Sequence, residues 1–316
     1  MSTVLERARA AAEQVGGVVL GKERQIMEVL LAILADGHIL LEDVPGVGKT
    51  TLALAFSKTL DLQYRRVQFT PDVLPSDLTG FSVYRREREE FVYQPGSVFC
   101  NLLLADELNR TSPKTQSALL EVMEERRVTV EGVTREVPTP FLVIATQNPP
   151  GSAGTQPLPE SQADRFAVSL SLGYPDPSCE IAMAMAVSEK RPLDRLRPEL
   201  SREELLSIQA QIHQVYMKDT VSRYLVDLIA ATRRHPSLAR GASPRATIAL
   251  VKLSKASAWY QGRAFVTPLD VLEQFPYVAA HRLILTQEAS LDRVAKEDVI
   301  REIAASVRRP PMETRP

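Results

Sequence analysis

The sequence predicts a parallel α/β domain followed by a smaller domain made only of helices. Strand-like apolar runs alternate with helical patterns through the first half of the 316 residues, which is typical of a parallel sheet covered by helices. The turn Pro175-Asp176-Pro177 interrupts this alternation, and helical periodicity alone continues from Cys179 onward. We therefore assign residues 1–185, with their N-terminal helix, to the α/β domain and residues 186–308 to the helical domain. The Pro- and Arg-rich residues 309–316 are predicted to be a disordered tail.

The elements of the first half follow from their apolar runs. Strands are predicted at residues 39–41, 64–69, 102–105, 141–145 and 167–172. Helices are predicted at residues 26–35, 50–60 and 113–125, the last after the helix start Ser112-Pro113.

Two segments of the α/β half are predicted to be inserted β-hairpins. Residues 81–93 have strand-like ends around a charged run, and residues 128–137 alternate around the turn Glu131-Gly132. In the second half, Ser201 to Glu204 has capping-box spacing and Thr267-Pro268 is a further helix start.

The composition is typical of a globular protein without a strong field. Hydrophobic residues make up 44% of the chain, and 38 Lys and Arg nearly balance 39 Asp and Glu, which argues against a general attraction to nucleic acid. The two cysteines, Cys100 and Cys179, are too few for a disulfide framework. The N-terminus lacks the apolar region of a signal peptide, and no uncharged stretch has the roughly 18 residues of a membrane span. We expect a cytoplasmic protein with no membrane insertion.

A glycine-rich turn lies between the first predicted strand and the helix at 50–60. A turn of this kind exposes successive backbone N–H groups that cradle phosphates, and the helix dipole adds partial positive charge. Lys49 would reach the β- and γ-phosphates, and the Thr50 hydroxyl would ligate Mg²⁺. Asp43 replaces the first glycine of the strict pattern, and its carboxylate would repel phosphates unless it points away or is paired. The predicted nucleotide-binding residues of the turn are Pro45, Gly46, Val47, Gly48, Lys49, Thr50 and Thr51.

Acidic and amide side chains follow two further strands. The run 102–105 ends in Asp106 and Glu107, where Asp106 can hold Mg²⁺ and Glu107 can orient the attacking water. The next strand leads to Asn148, whose amide can reach the γ-phosphate or that water, although Asn-Pro also favours a simple turn. In the helical half, Ser243 and Pro244 start a helix and put Arg245 in its first turn, against the helix dipole. This placement suggests that Arg245 approaches a phosphate across the domain cleft, the alternative being a solvated surface side chain.

Taken together and in this order, these motifs resemble the AAA+ ATPases, and specifically the MoxR group. The resemblance implies a P-loop parallel sheet sandwiched by helices, with β-hairpin insertions, followed by a smaller all-helical lid. It covers nearly the whole chain. The matching segments are PGVGKTT (45–51), QFTPDVLPSDLTG (68–80), LLLADELNRTSPKTQSALLEVMEE (102–125), VIATQNP (143–149), LPESQADRF (158–166) and GASPRA (241–246).

The resemblance implies a role for each matching residue. Lys49 and Thr50 would form the Walker A pair, and Asp106 and Glu107 the Walker B pair. Asn148 would be sensor 1. Arg245 would be sensor 2, acting from the lid.

One further segment and two arginines also receive roles from the resemblance. Leu20 and Gly21, in the segment 19–21, would line the adenine. Arg165 would be the arginine finger that serves the neighbouring subunit's γ-phosphate, unless it only forms a salt bridge with Asp164 or Glu160. Arg110 is a second candidate for that interface.

The family also implies cofactors and partners. ATP and Mg²⁺ would be bound, an arginine finger acting in trans would require a homo-oligomeric ring, most often a hexamer, and the hairpins would engage substrates. MoxR-like proteins are thought to act as chaperones that assemble, activate or insert cofactors into a client protein complex, often with a partner carrying a von Willebrand factor A domain. The alternatives are a ring-shaped nucleic-acid motor, against which the near-neutral charge and 6% aromatic content argue, and a nucleotide-gated scaffold that barely hydrolyses. No stable nucleic-acid partner is expected.

Overall fold

The computed structural model describes residues 2–87, 89–148, 158–186 and 192–311. A parallel five-stranded sheet forms the centre of the first domain, in the order β2-β5-β8-β1-β9. All five predicted strands of this sheet are confirmed. Their bounds are β1 (Ile39–Glu42), β2 (Tyr64–Gln68), β5 (Leu102–Asp106), β8 (Leu142–Gln147) and β9 (Val168–Leu170).

The two predicted insertions are antiparallel hairpins outside the sheet. The first pairs β3 (Phe81–Arg85) with β4 (Glu90–Gln94), and the second pairs β6 (Arg127–Val130) with β7 (Val133–Glu136). The hairpins contact each other, because the Ser82 hydroxyl donates a hydrogen bond to Glu131 (2.6 Å) and the Arg135 guanidinium lies 3.7 Å from the centre of the Tyr93 ring. The two insertions therefore present one continuous surface.

Helices cover both faces of the sheet. The helices of this first part of the chain are α1 (Ser2–Gly16), α2 (Glu23–Leu34), α3 (Lys49–Thr59), α4 (Pro75–Thr79), α5 (Pro113–Glu125), α6 (Glu160–Ala163) and α7 (Pro177–Ala186), of which α7 follows β9. Side chains alternate along each strand, so Leu41 and Leu104 pack with α1, α2 and α3, whereas Leu40 and Leu103 pack with α5. Burial on both faces explains why β1, β5, β8 and β9 are mostly apolar in the sequence, whereas the edge strand β2 carries polar residues.

The second domain is helical and packs against α2. Its helices are α8 (Arg202–His213), α9 (Asp219–Thr232), α10 (Pro244–Tyr260), α11 (Pro268–Ala279), α12 (Gln287–Leu291) and α13 (Lys296–Ser306). The predicted starts of α8, α10 and α11 are confirmed, because Ser201, Ser243 and Thr267 each cap a helix by accepting a backbone N–H. The Gln209 side chain donates to the Ile33 carbonyl at 3.0 Å and ties α8 to α2.

One feature of the helical domain was not predicted. The short strands β10 (Leu238–Arg240) and β11 (Ile284–Leu285) form an antiparallel pair, and strands this short leave no alternating pattern in a sequence. The domain boundary at residue 185 stays a prediction, and five residues of the predicted tail, 312–316, lie outside the described residues. In the described part of the chain, no helix combines the length and the apolar character that crossing a bilayer requires.

Candidate nucleotide-binding site

The turn between β1 and α3 has the backbone of a phosphate-binding loop. Gly46 and Gly48 have φ angles of 90° and 97°, a conformation that side-chain-bearing residues rarely adopt, and α3 begins directly after Gly48. The Lys49 ammonium donates hydrogen bonds to the carbonyl oxygens of Asp43 (2.7 Å) and Val44 (3.1 Å). Burial lowers the pKa of Lys49, although the nearby carboxylates of Asp43, Asp106 and Glu107 oppose this shift. The loop thus holds a partly desolvated cation at the start of α3.

Asp43 points away from this loop. It is 5% exposed, and its carboxylate accepts hydrogen bonds from the Ser171 hydroxyl (2.8 Å) and from the backbone N–H groups of Leu172 and Gly173. The carboxylate that replaces the usual glycine is therefore paired, and it fastens the start of the loop to the chain that follows β9. The repulsion of phosphates considered from the sequence does not follow from this geometry.

The acid that ends β5, Asp106, and the acid that follows it, Glu107, are held by the neighbouring strand β8. The Thr146 hydroxyl donates to Asp106 (2.7 Å) and accepts the backbone N–H of Glu107 (2.8 Å). Glu107 adopts the left-handed conformation, with a φ of 56°, which is uncommon for a residue with a side chain and is found at functional sites. Thr146 thus turns the chain so that the two consecutive carboxylates both face the same cavity.

Amide and guanidinium groups surround the Glu107 carboxylate. Asn148 donates to one oxygen at 3.3 Å and Arg110 to the other at 2.9 Å. Burial by itself would raise the pKa of Glu107, but the hydrogen bonds from Arg110 and Asn148, together with the charge of Arg110, hold it below its usual value. Glu107 is therefore ionised at neutral pH, and its carboxylate can accept a hydrogen bond from water. Arg110, the second candidate for the subunit interface, thus pairs with Glu107 of its own chain.

Residues of the phosphate loop, the two acids and Asn148 line one cavity of about 360 Å³ at the carboxyl ends of the strands. Of the predicted site residues, the structure brings together Pro45, Gly46, Gly48, Lys49, Thr50, Thr51, Asp106, Glu107 and Asn148. Arg66 and Gln68, which the site predictions did not include, also line it from the end of β2. Their signal in the sequence was two polar residues, two positions apart, in a strand beside the acidic one.

Three predicted nucleotide-binding residues lie outside the lining of this cavity. Val47 is buried in the core. Gly21 is left-handed (φ 67°) and lies against α7, where an added Cβ would approach the Cys179 sulfur to 2.7 Å, and Leu20 precedes it. The role of Leu20 and Gly21 toward an adenine stays a prediction.

Arg165 and Arg245 lie elsewhere, beside a second cavity of about 310 Å³. Both guanidinium groups contact Glu124 at the end of α5, Arg165 at 3.3 Å and Arg245 at 2.5 Å. Neither of the partners expected for Arg165 holds it, because Asp164 pairs with the buried Arg282 and Glu160 pairs with Arg240.

Arg245 does not lie beside the phosphate loop of its own chain, and its expected role toward a phosphate stays a prediction. The second cavity is lined by Gly37 and His38, which precede β1, whereas the phosphate loop follows β1. The two cavities therefore lie at opposite edges of the parallel sheet. The start of α10 packs at the edge from which the strands begin, so Arg245 does not line the cavity that contains Lys49 of the same chain.

Comparison with known proteins identifies the family. Residues 38–168 match the ATPase family associated with various cellular activities (AAA), and residues 230–303 match an AAA lid domain. The chain is 39% identical to the protein named Chaperone MoxR1 of Mycobacterium tuberculosis, over 96% of this chain and 82% of that protein. It is 31% identical to Protein MoxR of Methylorubrum extorquens, over 94% of this chain and 93% of the relative. The chain belongs to the MoxR-type AAA+ ATPases.

Two further similarities agree with this membership. An uncharacterised protein of Bacillus subtilis, YeaC, is 44% identical over 95% of this chain and 94% of its own length. The crystal structure of a putative ATPase from Cytophaga hutchinsonii superimposes with a TM-score of 0.91 at 37% identity, covering 98% of this chain and 96% of the other. The MoxR family membership implies nucleotide binding, ATP hydrolysis and the tendency to form oligomeric rings that AAA+ ATPases share.

The donor set of the first cavity fits a magnesium ion. Mg²⁺ prefers oxygen ligands and is usually held by one or two protein side chains together with phosphate oxygens and water. The Thr50 hydroxyl and the Asp106 carboxylate both line the cavity and are oxygen donors of this kind. These two residues would hold the ion beside a bound triphosphate.

Proposed function

We propose that this MoxR-type protein hydrolyses Mg²⁺-bound ATP in the cavity that contains Lys49 and uses the cycle to remodel or assemble a client protein complex. The observation that carries the proposal is the convergence of Lys49, Asp106, Glu107 and Asn148 on one cavity from the ends of separate elements. A phosphate cradle alone would bind a nucleotide. The addition of an ionised carboxylate and a positioned amide supports hydrolysis.

Each residue has a defined task in the proposed reaction. The N–H groups of the loop and the Lys49 ammonium bind the β- and γ-phosphates, for which Lys49 exchanges the carbonyl oxygens it now contacts. Glu107 orients and polarises the attacking water, with Asn148 beside it. When bound by Thr50 and Asp106, Mg²⁺ neutralises charge that develops on the phosphates.

The arginines at the opposite edge of the sheet support a site shared between subunits. Arg165 and Arg245 stand together, remote from the Lys49 cavity of their own chain. We assign both to the phosphates bound by a neighbouring subunit, Arg165 as the arginine finger, with Glu124 holding the pair in place. A head-to-tail contact of this kind closes into a ring, and we propose a hexamer.

The hairpin surface, formed by β3–β4 and β6–β7, is the proposed site of client contact. Its first hairpin exposes apolar side chains that a folded domain usually buries, with Phe91 72%, Phe81 49% and Tyr84 49% exposed. A client protein, or a partner with a von Willebrand factor A domain that recruits one, would cover them. The name of the relative Chaperone MoxR1 supports a chaperone activity of this kind.

The test is capture of partners with Glu107→Gln held in ATP. This change keeps the shape of the side chain and leaves nucleotide binding intact, but it removes the carboxylate that orients water, so transient complexes should accumulate. Lys49→Ala, which should not retain ATP, is the matched control. Enrichment of one defined protein complex with Glu107→Gln over Lys49→Ala supports the proposal. Enrichment of nuclease-sensitive nucleic acid without a protein would replace it with the motor function, and a wild-type protein that hydrolyses no ATP would contradict it.

A further inference from the structure

The Walker B carboxylate Asp106 already has a cationic partner in its own chain. The Arg66 guanidinium lies 2.6 Å from one carboxylate oxygen of Asp106, and the same nitrogen donates to the Gln68 side chain at 3.0 Å. The other oxygen of Asp106 accepts the Thr146 hydroxyl at 2.7 Å. Both oxygens of the predicted metal ligand are thus engaged.

Strand geometry places Arg66 at this position. In the parallel pairing of β2 with β5, Gln68 lies opposite Asp106, and Arg66 lies on the same face two residues earlier. Arg66 and Gln68 therefore both line the nucleotide cavity. Arg65, the intervening residue, points to the other face of the strand and donates to the Gly96 carbonyl at 2.8 Å.

A guanidinium and a divalent cation cannot share this carboxylate without repulsion. The side chain of Asp106 is only 11% exposed, so water screens the two positive charges weakly, whereas the Arg66 side chain is 46% exposed and has room to move. Without the metal, the same contact satisfies a desolvated carboxylate that would otherwise stand beside the phosphates of a bound nucleotide. The pair therefore favours the metal-free state of the site.

We propose that Arg66 is a built-in counter-cation that competes with Mg²⁺ for Asp106 and leaves the carboxylate when the metal–nucleotide complex binds. Arg66 is a positioning residue in this role, acting through Asp106. The inference rests on the proposed function, because it needs nucleotide and metal in this cavity. If Arg66 competes in this way, the affinity of the site for Mg²⁺ depends on Arg66 of β2 as well as on the predicted metal ligands Thr50 and Asp106.

The experiment measures metal binding directly, with Mn²⁺ as the paramagnetic probe and a non-hydrolysable ATP analogue. Free Mn²⁺ is followed by electron paramagnetic resonance for the wild-type protein, Arg66→Gln, Arg66→Lys and the control Arg65→Gln. We expect Arg66→Gln to bind Mn²⁺ about tenfold more tightly in the nucleotide complex, the size expected from losing one charge-assisted hydrogen bond. Arg66→Lys should lie between the two, and Arg65→Gln should match the wild type.

The possible failures are distinguishable. Unchanged or weaker Mn²⁺ binding by Arg66→Gln overturns the competition. Loss of analogue affinity to the same extent with and without Mn²⁺ also overturns it, because Arg66 would then be a phosphate ligand. If the wild-type protein binds no analogue in either condition, the proposed function itself is wrong.

Discussion

Asp43 shows how a single departure from a motif is accommodated by pairing. Its buried carboxylate accepts hydrogen bonds from Ser171, Leu172 and Gly173 and so connects the phosphate loop to the segment after β9. The residue that replaces the usual glycine is a structural anchor, and its carboxylate is paired with donors of the segment after β9.

Replacing this anchor should cost stability. Asp43→Ala leaves buried donors without an acceptor, and we expect the free energy of unfolding to fall by about 1–3 kcal/mol. Urea unfolding of the wild type, Asp43→Ala and the exposed-residue control Asp72→Ala measures the difference. A loss no larger for Asp43→Ala than for the control would show that the hydrogen bonds to Ser171 and its neighbours do not stabilise the fold.

At the residue scale, motif spacing predicted most of the residues that line the Lys49 cavity but not the contacts that hold them. Lys49, Asp106 and Glu107 follow from the local order of glycines, apolar runs and acids. Arg66 pairs with Asp106 across 40 residues of sequence, a contact set by the order of β2 and β5 in the sheet. The position of Arg245 was also beyond local patterns, because it depends on which edge of the sheet the second domain packs against.

At the scale of elements, helix α2 carries an acid into the contact between the two domains. Glu28 is 4% exposed and faces Gln274 of α11, and burial, the largest effect, raises the pKa of Glu28 to about 7, with Arg24 and Gln274 opposing it. The buried contact between the domains therefore favours the protonated, uncharged form of Glu28. A group with a raised pKa contributes stability that is fully present below its unfolded value of 4.5 and is lost as the pH rises through about 7.

Glu28→Gln should therefore stabilise the protein at alkaline pH. We expect a gain of about 3 kcal/mol at pH 8 relative to the wild type, and little difference near pH 4.5, because glutamine resembles the protonated acid. Denaturant unfolding across this pH range, with Glu23→Gln on the same helix as the control, tests the expectation. An equal effect of Glu28→Gln at both ends of the range would contradict it.

The hairpins are a second element-scale feature with an expected outcome. The rings of Phe91 and Tyr84 lie 5.3 Å apart on exposed strands, in an arrangement that a partner can bury. In the Glu107→Gln background, Phe91→Ser should reduce recovery of the captured client by about tenfold, as expected for an aromatic residue central to an interface. ATP hydrolysis without client, measured in the otherwise wild-type chain, should not change.

The control for this prediction is Val226→Ser on α9, an apolar residue of the helical domain that is 49% exposed. Equal client recovery with Phe91→Ser and Val226→Ser would show that the client binds elsewhere.

Apolar periodicity, glycine turns and charged tips in the sequence predicted the five strands of the sheet and both hairpins. The β10–β11 pair escaped prediction because its strands are too short to show a period.

At the scale of the whole molecule, the two cavities at opposite edges of the sheet indicate how subunits would cooperate. One edge carries Lys49 and Glu107, and the other carries Arg165 and Arg245. In the proposed ring, a complete site would need both edges, contributed by adjacent subunits. An isolated subunit would bind ATP and hydrolyse it poorly.

The most direct test of this central claim is complementation between two inactive variants. Lys49→Ala should not bind ATP productively, and Arg165→Ala should lose about 10³-fold or more of its hydrolysis rate, the contribution of arginine fingers in other nucleotidases. Random mixing before assembly leaves about a quarter of the interfaces with an intact Lys49 facing an intact Arg165. ATP turnover of the mixture should recover toward that fraction, whereas Lys49→Ala mixed with the double variant should stay inactive. A mixture no more active than the sum of its separate components would contradict the shared site.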